Sequence, residues 1–351
     1  MSQRTMRAAR LPGVGEPLRL EDVPYPEPGP DDVVVRLVAC GICASDLHFL
    51  EGLPTPGEPP ITLGHEPAGL IEALGANVRG WAPGDRVAIH IGTGCGTCRS
   101  CASGMPNCCV TLQAPGLHFD GAFAEAIRVP AAYLVRVPEG VSLAAAAVAT
   151  DCVTSPYHAL TCRGGLAKGE RVVVIGVGGL GGQAVKLAHH LGAAQVVALD
   201  VSSAALERAA CNGATETVLV TPGEDASERL REVTTGGADL VLECVGTPDA
   251  VASGINALHP GGRLVVVGVG ILPPRIDLPQ ALFGFTELSL LGSFGSHIED
   301  LEEILRLQAK GDIDIDAAIT HHVPLEEVVS GLEMLRTKRG NPDRIVVDIG
   351  D

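Results

Sequence analysis

Residues 171–200 constrain the fold more than any other stretch. "RVVVIG" is a continuous β-branched run, the pattern of a strand buried on both faces. The glycine-rich run Gly176-Val-Gly178-Gly179-Leu180-Gly181 follows it directly and opens a helix with Leu180, Ala184, Leu187 and Leu191 on one face. "QVVALD" is the next strand and ends at Asp200, 19 residues after Gly181. A strand entering a helix through such a loop begins a βαβ unit. Gly176 makes the tight turn, Gly178 lets backbone approach a pyrophosphate, and Gly181 allows close helix–strand packing. The helix N-terminus adds free amides and a positive dipole end. A carboxylate at Asp200 suits both ribose hydroxyls of NAD and repels a 2′-phosphate, and Val201, Ser202 and Ser203 bring no cation. The cofactor expected from these residues is NAD.

The strand theme returns in "ADLVLECVG" and "GRLVVVGV", with helix-like segments between, so a doubly wound parallel sheet is expected here. The N-terminal part has another texture. "DDVVVRLVAC", "AGLIEALG", "GDRVAIHI", "AFAEAIRVP" and "YLVRVP" are short strand-like runs broken by glycine and proline, the mark of a β-rich domain. The change comes near residue 143, where "LAAAAVATDCVTSPYHAL" reads as helix. The chain's 351 residues suit about two domains of roughly 100–200 residues. Near the C-terminus, "EDLEEILRLQAKGD" reads as a charged amphipathic helix, with Glu302 and Glu303 on its solvated face, and "DRIVVDIG" as a last strand.

A net charge of −17 disfavours a nucleic-acid partner, whose phosphates it would repel. No apolar run reaches the ~18 residues of a membrane span. The N-terminus has no apolar signal core, so a cytoplasmic protein is expected. In a reducing compartment the eleven cysteines are zinc ligands or buried thiols rather than disulfides. Cys95, Cys98, Cys101 and Cys109 follow C-x2-C-x2-C-x7-C, close enough to wrap one tetrahedral zinc ion as a closed structural site. Cys108 is read as a bystander. Cys40, Cys162, Cys211 and Cys244 are read as packed thiols. His189 and His190 sit near a helix C-terminus, and His321 and His322 precede a strand-like run.

"CGICASDLH" and "LGHEPAG" hold Cys43, His65 and Glu66. These two runs, the four-cysteine lobe and the glycine loop stand in an order that resembles the zinc-dependent alcohol dehydrogenases of the medium-chain dehydrogenase/reductase superfamily, over essentially the whole chain. The resemblance implies an α/β protein with a GroES-like β-rich catalytic domain, residues 1–152 completed by 297–351, and a Rossmann NAD-binding domain at 153–296. The active site is then expected in the cleft between them. It implies a catalytic zinc on Cys43, His65 and a third ligand. Asp151 and Cys152 compete for that place, and the spacing to Tyr157 favours Asp151. With the lobe, this makes two zinc ions per chain.

Within the same resemblance, Asp46 would orient His65, Glu66 would assist ligand exchange, and Ser45 and His48 would relay the alcohol proton. Arg344 matches an arginine that contacts the pyrophosphate. Val245, Gly246, Val269 and Phe294 would neighbour the cofactor. Ile42, Phe49, Ile91, His118, Phe119 and Leu291 would line a mostly apolar pocket for a small uncharged alcohol or carbonyl. The expected reaction passes a hydride between an alcohol and NAD. Rival readings are a polyol dehydrogenase of the same superfamily and a catalytically silent, dehydrogenase-like binding protein. A homotetramer is expected, with "GRLVVVGV" as an apolar edge strand that pairs across a two-fold axis.

Overall fold

The computed structural model describes residues 4–53 and 57–350. It divides into two compact units: Met1–Cys152 with Ser296–Asp351, and Val153–Gly295. The first holds β1 (Thr5–Leu11), β2 (Arg19–Pro24), β3 (Asp32–Gly41), β4 (Ile61–Thr62), β5 (Glu66–Leu74), β6 (Arg86–Ile89), β7 (Ala126–Pro130) and β8 (Leu134–Arg136). The second holds β9 (Arg171–Ile175), β10 (Gln195–Asp200), β11 (Glu216–Leu219), β12 (Ala238–Glu243), β13 (Leu258–Val266) and β14 (Ser289–Gly292). The chain returns to the first unit with β15 (Ile319–Pro324) and β16 (Arg344–Asp348).

In the first unit a seven-stranded sheet runs β15-β16-β3-β5-β6-β8, with β7 also on β3. Val33, Val35 and Leu37 share one face of β3 and are fully buried; Val34 and Cys40 on the other face are buried as well, leaving only Asp32, Arg36 and Val38 partly open. Register makes the site. Gly41 at the end of β3 lies opposite both Glu66 at the start of β5 and Val346 of β16. Three strand ends therefore meet where "CGIC" leaves the sheet and "GHE" enters it. Glycine is required at 41, because a Cβ there would stand 1.9 Å from Glu66 Oε2.

The second unit is a six-stranded parallel sheet in the order β11-β10-β9-β12-β13-β14, the doubly wound arrangement. Chain order reverses between β9 and β12, so the loops after these strands open the crevice where such sheets bind nucleotides. Val173, Ile175, Val197, Leu199 and Val241 pack its core.

Two expectations change. "GRLVVVGV" is not an edge: β13 pairs with β12 on one side and β14 on the other, and β14 is the edge on that side. His321 and His322 lie within β15 rather than before it, paired against Ile345 and Val346. Among the described residues, no helix is long and apolar enough to cross a membrane.

Candidate active site

The helix Ala44–Leu50 starts at Cys43, and the Asp46 carboxylate accepts the Cys43 backbone N–H at 3.0 Å. The other Asp46 oxygen lies 3.3 Å from His65 Nδ1, and both side chains are buried. Nδ1 thus faces a carboxylate, and Nε2 lies on the other edge of the ring. That edge meets Asp151, whose Oδ2 is 3.7 Å from His65 Nε2 and 3.8 Å from Cys43 Sγ. Burial alone would lower the His65 pKa, but Asp46, Asp151 and Cys43 more than reverse this and raise it well above 6.5.

Asp151 belongs to a π-helical turn, Ala149–Val153, that follows the helix Leu143–Val148. Single π turns of this kind recur at functional positions because the extra residue re-aims side chains. Here Asp151 stays partly open beside His65, while Cys152 is buried and burial pushes its thiol pKa well up.

Cys43, His65, Glu66 and Asp151 offer ligand atoms within 4.8 Å of one another. Tetrahedral zinc with bonds of about 2.0–2.3 Å sets its ligands roughly 3.3–3.8 Å apart, so the spacings seen suit one ion. Glu66 Oε1 is buried with no hydrogen-bond partner, a further sign that the set is built around a cation. Glu66 Oε2 accepts a hydrogen bond from buried Arg344. Burial pushes the Glu66 carboxyl up to about 7 against the opposing pull of that guanidinium. Ser45 Oγ stands 3.7 Å from Cys43 Sγ, and His48 is part-exposed, 3.9 Å from Glu51.

The four lobe cysteines also converge within 4.8 Å, with Cys98 Sγ 3.5 Å from Cys101 Sγ and 3.8 Å from Cys109 Sγ. The backbone N–H of Cys95 reaches Cys109 Sγ, and that of Cys98 reaches Cys95 Sγ, each at 3.3 Å. The Thr97 hydroxyl pulls the Cys95 thiol down to about 5. Thr111 lowers the Cys109 thiol as well, whereas burial pushes Cys101 up to about 12; four sulfurs this close fit a closed zinc site. A Cβ on Gly94 would come within 2.4 Å of Cys101 Sγ, while Cys108 points to solvent.

In the second unit Gly176 has φ +82°, the left-handed turn expected of the first loop glycine. A Cβ on Gly181 would lie 1.8 Å from the Gly176 carbonyl oxygen, whereas one on Gly178 would meet nothing within 4 Å. The helix Gly179–His190 starts there, carrying Gly179 and Leu180 in its first turn. Asp200 is held rigidly: Oδ2 accepts Val177 N–H at 2.8 Å and Oδ1 accepts Ser202 N–H at 2.9 Å. A cavity of about 350 Å³ opens beside it, lined by Gly176, Asp200, Thr221, Val245, Thr247 and Asp249. Sequence reading missed Thr221 and Asp249, which no motif marks. It also missed Arg275, paired with Asp249 at 2.7 Å, because that cation comes from a distant loop. Val245, Val269 and Phe294 are exposed apolar residues of this unit.

The expected pocket residues separate. Ile42 is 1% exposed and packs in the core, where a Cβ on Gly331 would come within 2.7 Å of its Cδ1, so it lines no open wall. Phe49 and Ile91 are also buried. His118 and Phe119 sit partly exposed on the loop before Gly121, and Leu291 lies half-buried on β14. Arg344, expected by resemblance to contact the pyrophosphate, is buried and its guanidinium pairs with Glu66.

Residues 29–139 match the alcohol dehydrogenase GroES-like domain family, and residues 179–310 match the zinc-binding dehydrogenase family. The chain belongs to the zinc-binding alcohol dehydrogenases of the medium-chain dehydrogenase/reductase superfamily. A probable zinc-binding alcohol dehydrogenase of Mycobacterium tuberculosis is 36% identical over 95% of this chain and 86% of its own. An L-threonine 3-dehydrogenase of Paraburkholderia phytofirmans is 31% identical over 97% of this chain and 96% of its own. The crystal structure of a zinc-binding dehydrogenase from Sinorhizobium meliloti 1021 bound to NADP superposes with a TM-score of 0.87 at 32% identity, covering 99% of this chain and 100% of that one.

Proposed function

We propose that the protein oxidises a small uncharged alcohol to an aldehyde or ketone with NAD, and runs the reverse reduction, using two zinc ions per chain. The observation that carries this reading is the convergence of Cys43, His65 and Asp151 around one cation-sized position. Cys43 Sγ, His65 Nε2 and an Asp151 oxygen would hold the catalytic zinc, and the lobe cysteines the structural one. Bound there, zinc lowers the pKa of an alcohol at its open position, and NAD accepts the hydride.

The chain's own residues do the rest. Asp46 fixes the His65 tautomer and ring plane. Arg344 neutralises Glu66, so this carboxylate adds little net charge beside the metal. Ser45, next to Cys43, takes the alcohol proton, and His48, part-exposed beside Glu51, gives it to solvent. The side chains gathered at Cys43, His65 and Asp151 offer a substrate carboxylate no lysine, and Arg344 is taken by Glu66. An uncharged alcohol is therefore favoured over an amino acid such as the substrate that names the Paraburkholderia relative. Asp200, with its carboxylate already fixed toward the cofactor crevice, favours NAD over the NADP held by the Sinorhizobium protein. The net acidic charge and eleven cysteines that form no disulfide suit the cytoplasm. A homotetramer is the proposed working form.

The test is NADH formation across a panel of primary and secondary alcohols and polyols, with elemental analysis of the purified protein. Turnover with about two zinc ions per chain is expected. A folded protein that binds NAD but oxidises no alcohol would turn the reading toward a silent binding protein. Full activity with one zinc ion or none would remove the metal assignment.

A further inference from the structure

Among the described residues of the four-cysteine lobe, 95–109, only Asn107 and Cys109 are buried. A stretch with so little core does not fold on apolar packing, so its order depends on the cation that its four sulfurs enclose. The chain presses closely around those sulfurs. A Cβ on Gly94 would stand 2.4 Å from Cys101 Sγ and 3.0 Å from Pro106 Cα. The turn Pro106–Cys108 lies between the third and fourth lobe cysteines. The N–H groups of Cys108 and Cys109 close it by donating to the Met105 and Pro106 carbonyls at 3.1 Å each. This turn carries Asn107, whose position therefore follows from the folding of the lobe around its metal.

Asn107 faces the point at which the chain comes back to the first unit. Ser296 is the first residue of that returning segment. Its buried hydroxyl lies 3.0 Å from Nε2 of His90, a buried residue that directly follows β6. The next residue, His297, has Nε2 3.2 Å from the side-chain oxygen of Asn107. His297 is also the N-cap residue of the helix Ile298–Lys310, and its backbone N–H donates to the Asp300 carboxylate at 2.8 Å. A cavity of about 230 Å³ opens beside this contact, lined by Gly94, Cys101, Asn107, Ser296, His297 and Glu299. The Asn107–His297 contact is thus a polar tie beside a void rather than part of a packed interface.

We propose that the four-cysteine lobe is a metal-dependent latch on the returning segment: with zinc in the lobe Asn107 holds His297 and the start of its helix, and without zinc the segment is released and NAD binds more weakly. For a lobe with so little core, metal-binding free energy is folding free energy. Part of it reaches residues 296–300 through one side-chain pair. The chain arrives at Ser296 two residues after Phe294, which is expected beside the cofactor. A segment left free at this end must be ordered when the cofactor binds, and that ordering is subtracted from the affinity. The effect on affinity rests on the NAD reading above; the release of the segment does not.

The experiment follows amide hydrogen exchange over residues 296–304 in cofactor-free protein, with metal content and the NAD Kd measured on the same samples. Asn107→Ala should keep two zinc ions per chain yet exchange this segment at least ~tenfold faster than the wild type. Its NAD Kd should rise about threefold or more. Cys98→Ser should lose one zinc ion and show the same two effects. The double variant should be no worse than Cys98→Ser alone, because both changes cut one connection. Wild-type exchange in Asn107→Ala overturns the latch, as does protection that survives the loss of zinc in Cys98→Ser, or additive effects in the double variant. Amides of β9 and β10 are the control. If they lose protection together with residues 296–304, the lobe supports the fold at large and the latch is overturned. A wild type that binds no NAD overturns the cofactor reading and the effect on affinity with it, whereas faster exchange with an unchanged Kd overturns that effect alone.

Discussion

Asp151 and Cys152 are neighbours with opposite surroundings, and those surroundings set their expected behaviour. The carboxylate stands within 3.8 Å of both Cys43 Sγ and His65 Nε2. The thiol is 1% exposed, and burial raises its pKa, so at neutral pH it remains protonated. A protonated thiol is a poor zinc ligand, which offsets the intrinsic preference of zinc for sulfur. Asp151→Ala should reduce zinc from two ions per chain to about one and cut turnover at least ~hundredfold, the scale on which even the outer partners of a metal site act. Cys152→Ser should keep both zinc ions and most activity, at a modest cost in thermal stability for a hydroxyl buried in an apolar site. Metal analysis and initial rates on the two variants check this, and the opposite pattern would move the ligand role to Cys152. The choice was legible in the sequence only through spacing, because no local pattern announces the π turn that sets one residue beside Cys43 and His65 and its neighbour into the core.

At the scale of elements, the glycine loop and its acidic terminus were the most legible part of the chain. Each glycine has a distinct local duty: the positive φ at Gly176, the open face at Gly178, and the 1.8 Å approach at Gly181. Other assignments depended on long-range packing that short patterns do not encode. Ile42 directly follows the end of β3 in a stretch that reads as a site, yet the helix carrying Gly331 closes over it. Arg344 is expected, by resemblance, at the pyrophosphate, yet register sets β16 beside β3, where Glu66 takes the guanidinium. The loop's chemistry gives a direct prediction. Asp200 is pinned by two backbone N–H groups, so it cannot swing aside to admit a 2′-phosphate. The wild type should prefer NAD over NADP by at least ~tenfold in kcat/KM, about 1.4 kcal/mol. Asp200→Gly should narrow that ratio, chiefly through lower efficiency with NAD. Equal efficiency of the wild type with both cofactors would show that the cation at Arg275, despite its pairing with Asp249, outweighs the carboxylate.

At the scale of the whole molecule, assembly follows from which strand is left unpaired. Both β13 and β14 read as apolar runs, so the sequence pattern alone did not tell interior from edge; pairing order did. The sheet has two edges, β11 and β14; β14, a four-residue strand beside the exposed apolar segment, leaves backbone donors and acceptors open to another chain. The segment between β13 and β14 also exposes Ile271 at 84%, Leu272 at 64% and Phe285 at 88%, a costly display for a lone protein of this acidity. A two-fold axis beside β14 would pair two edges and cover such residues with their own copies, as a self-complementary contact does. That step gives a dimer, and a tetramer needs a second surface, for which the exposed Met105 and Val110 of the lobe are the candidates. Light scattering at micromolar concentration should therefore report four chains. Ile271→Glu with Phe285→Glu should lower the mass by placing like charges across the axis, without unfolding a chain in which both side chains already face solvent. A wild-type monomer would remove the idea, and an unchanged tetramer in the double variant would move the primary contact away from the β14 edge.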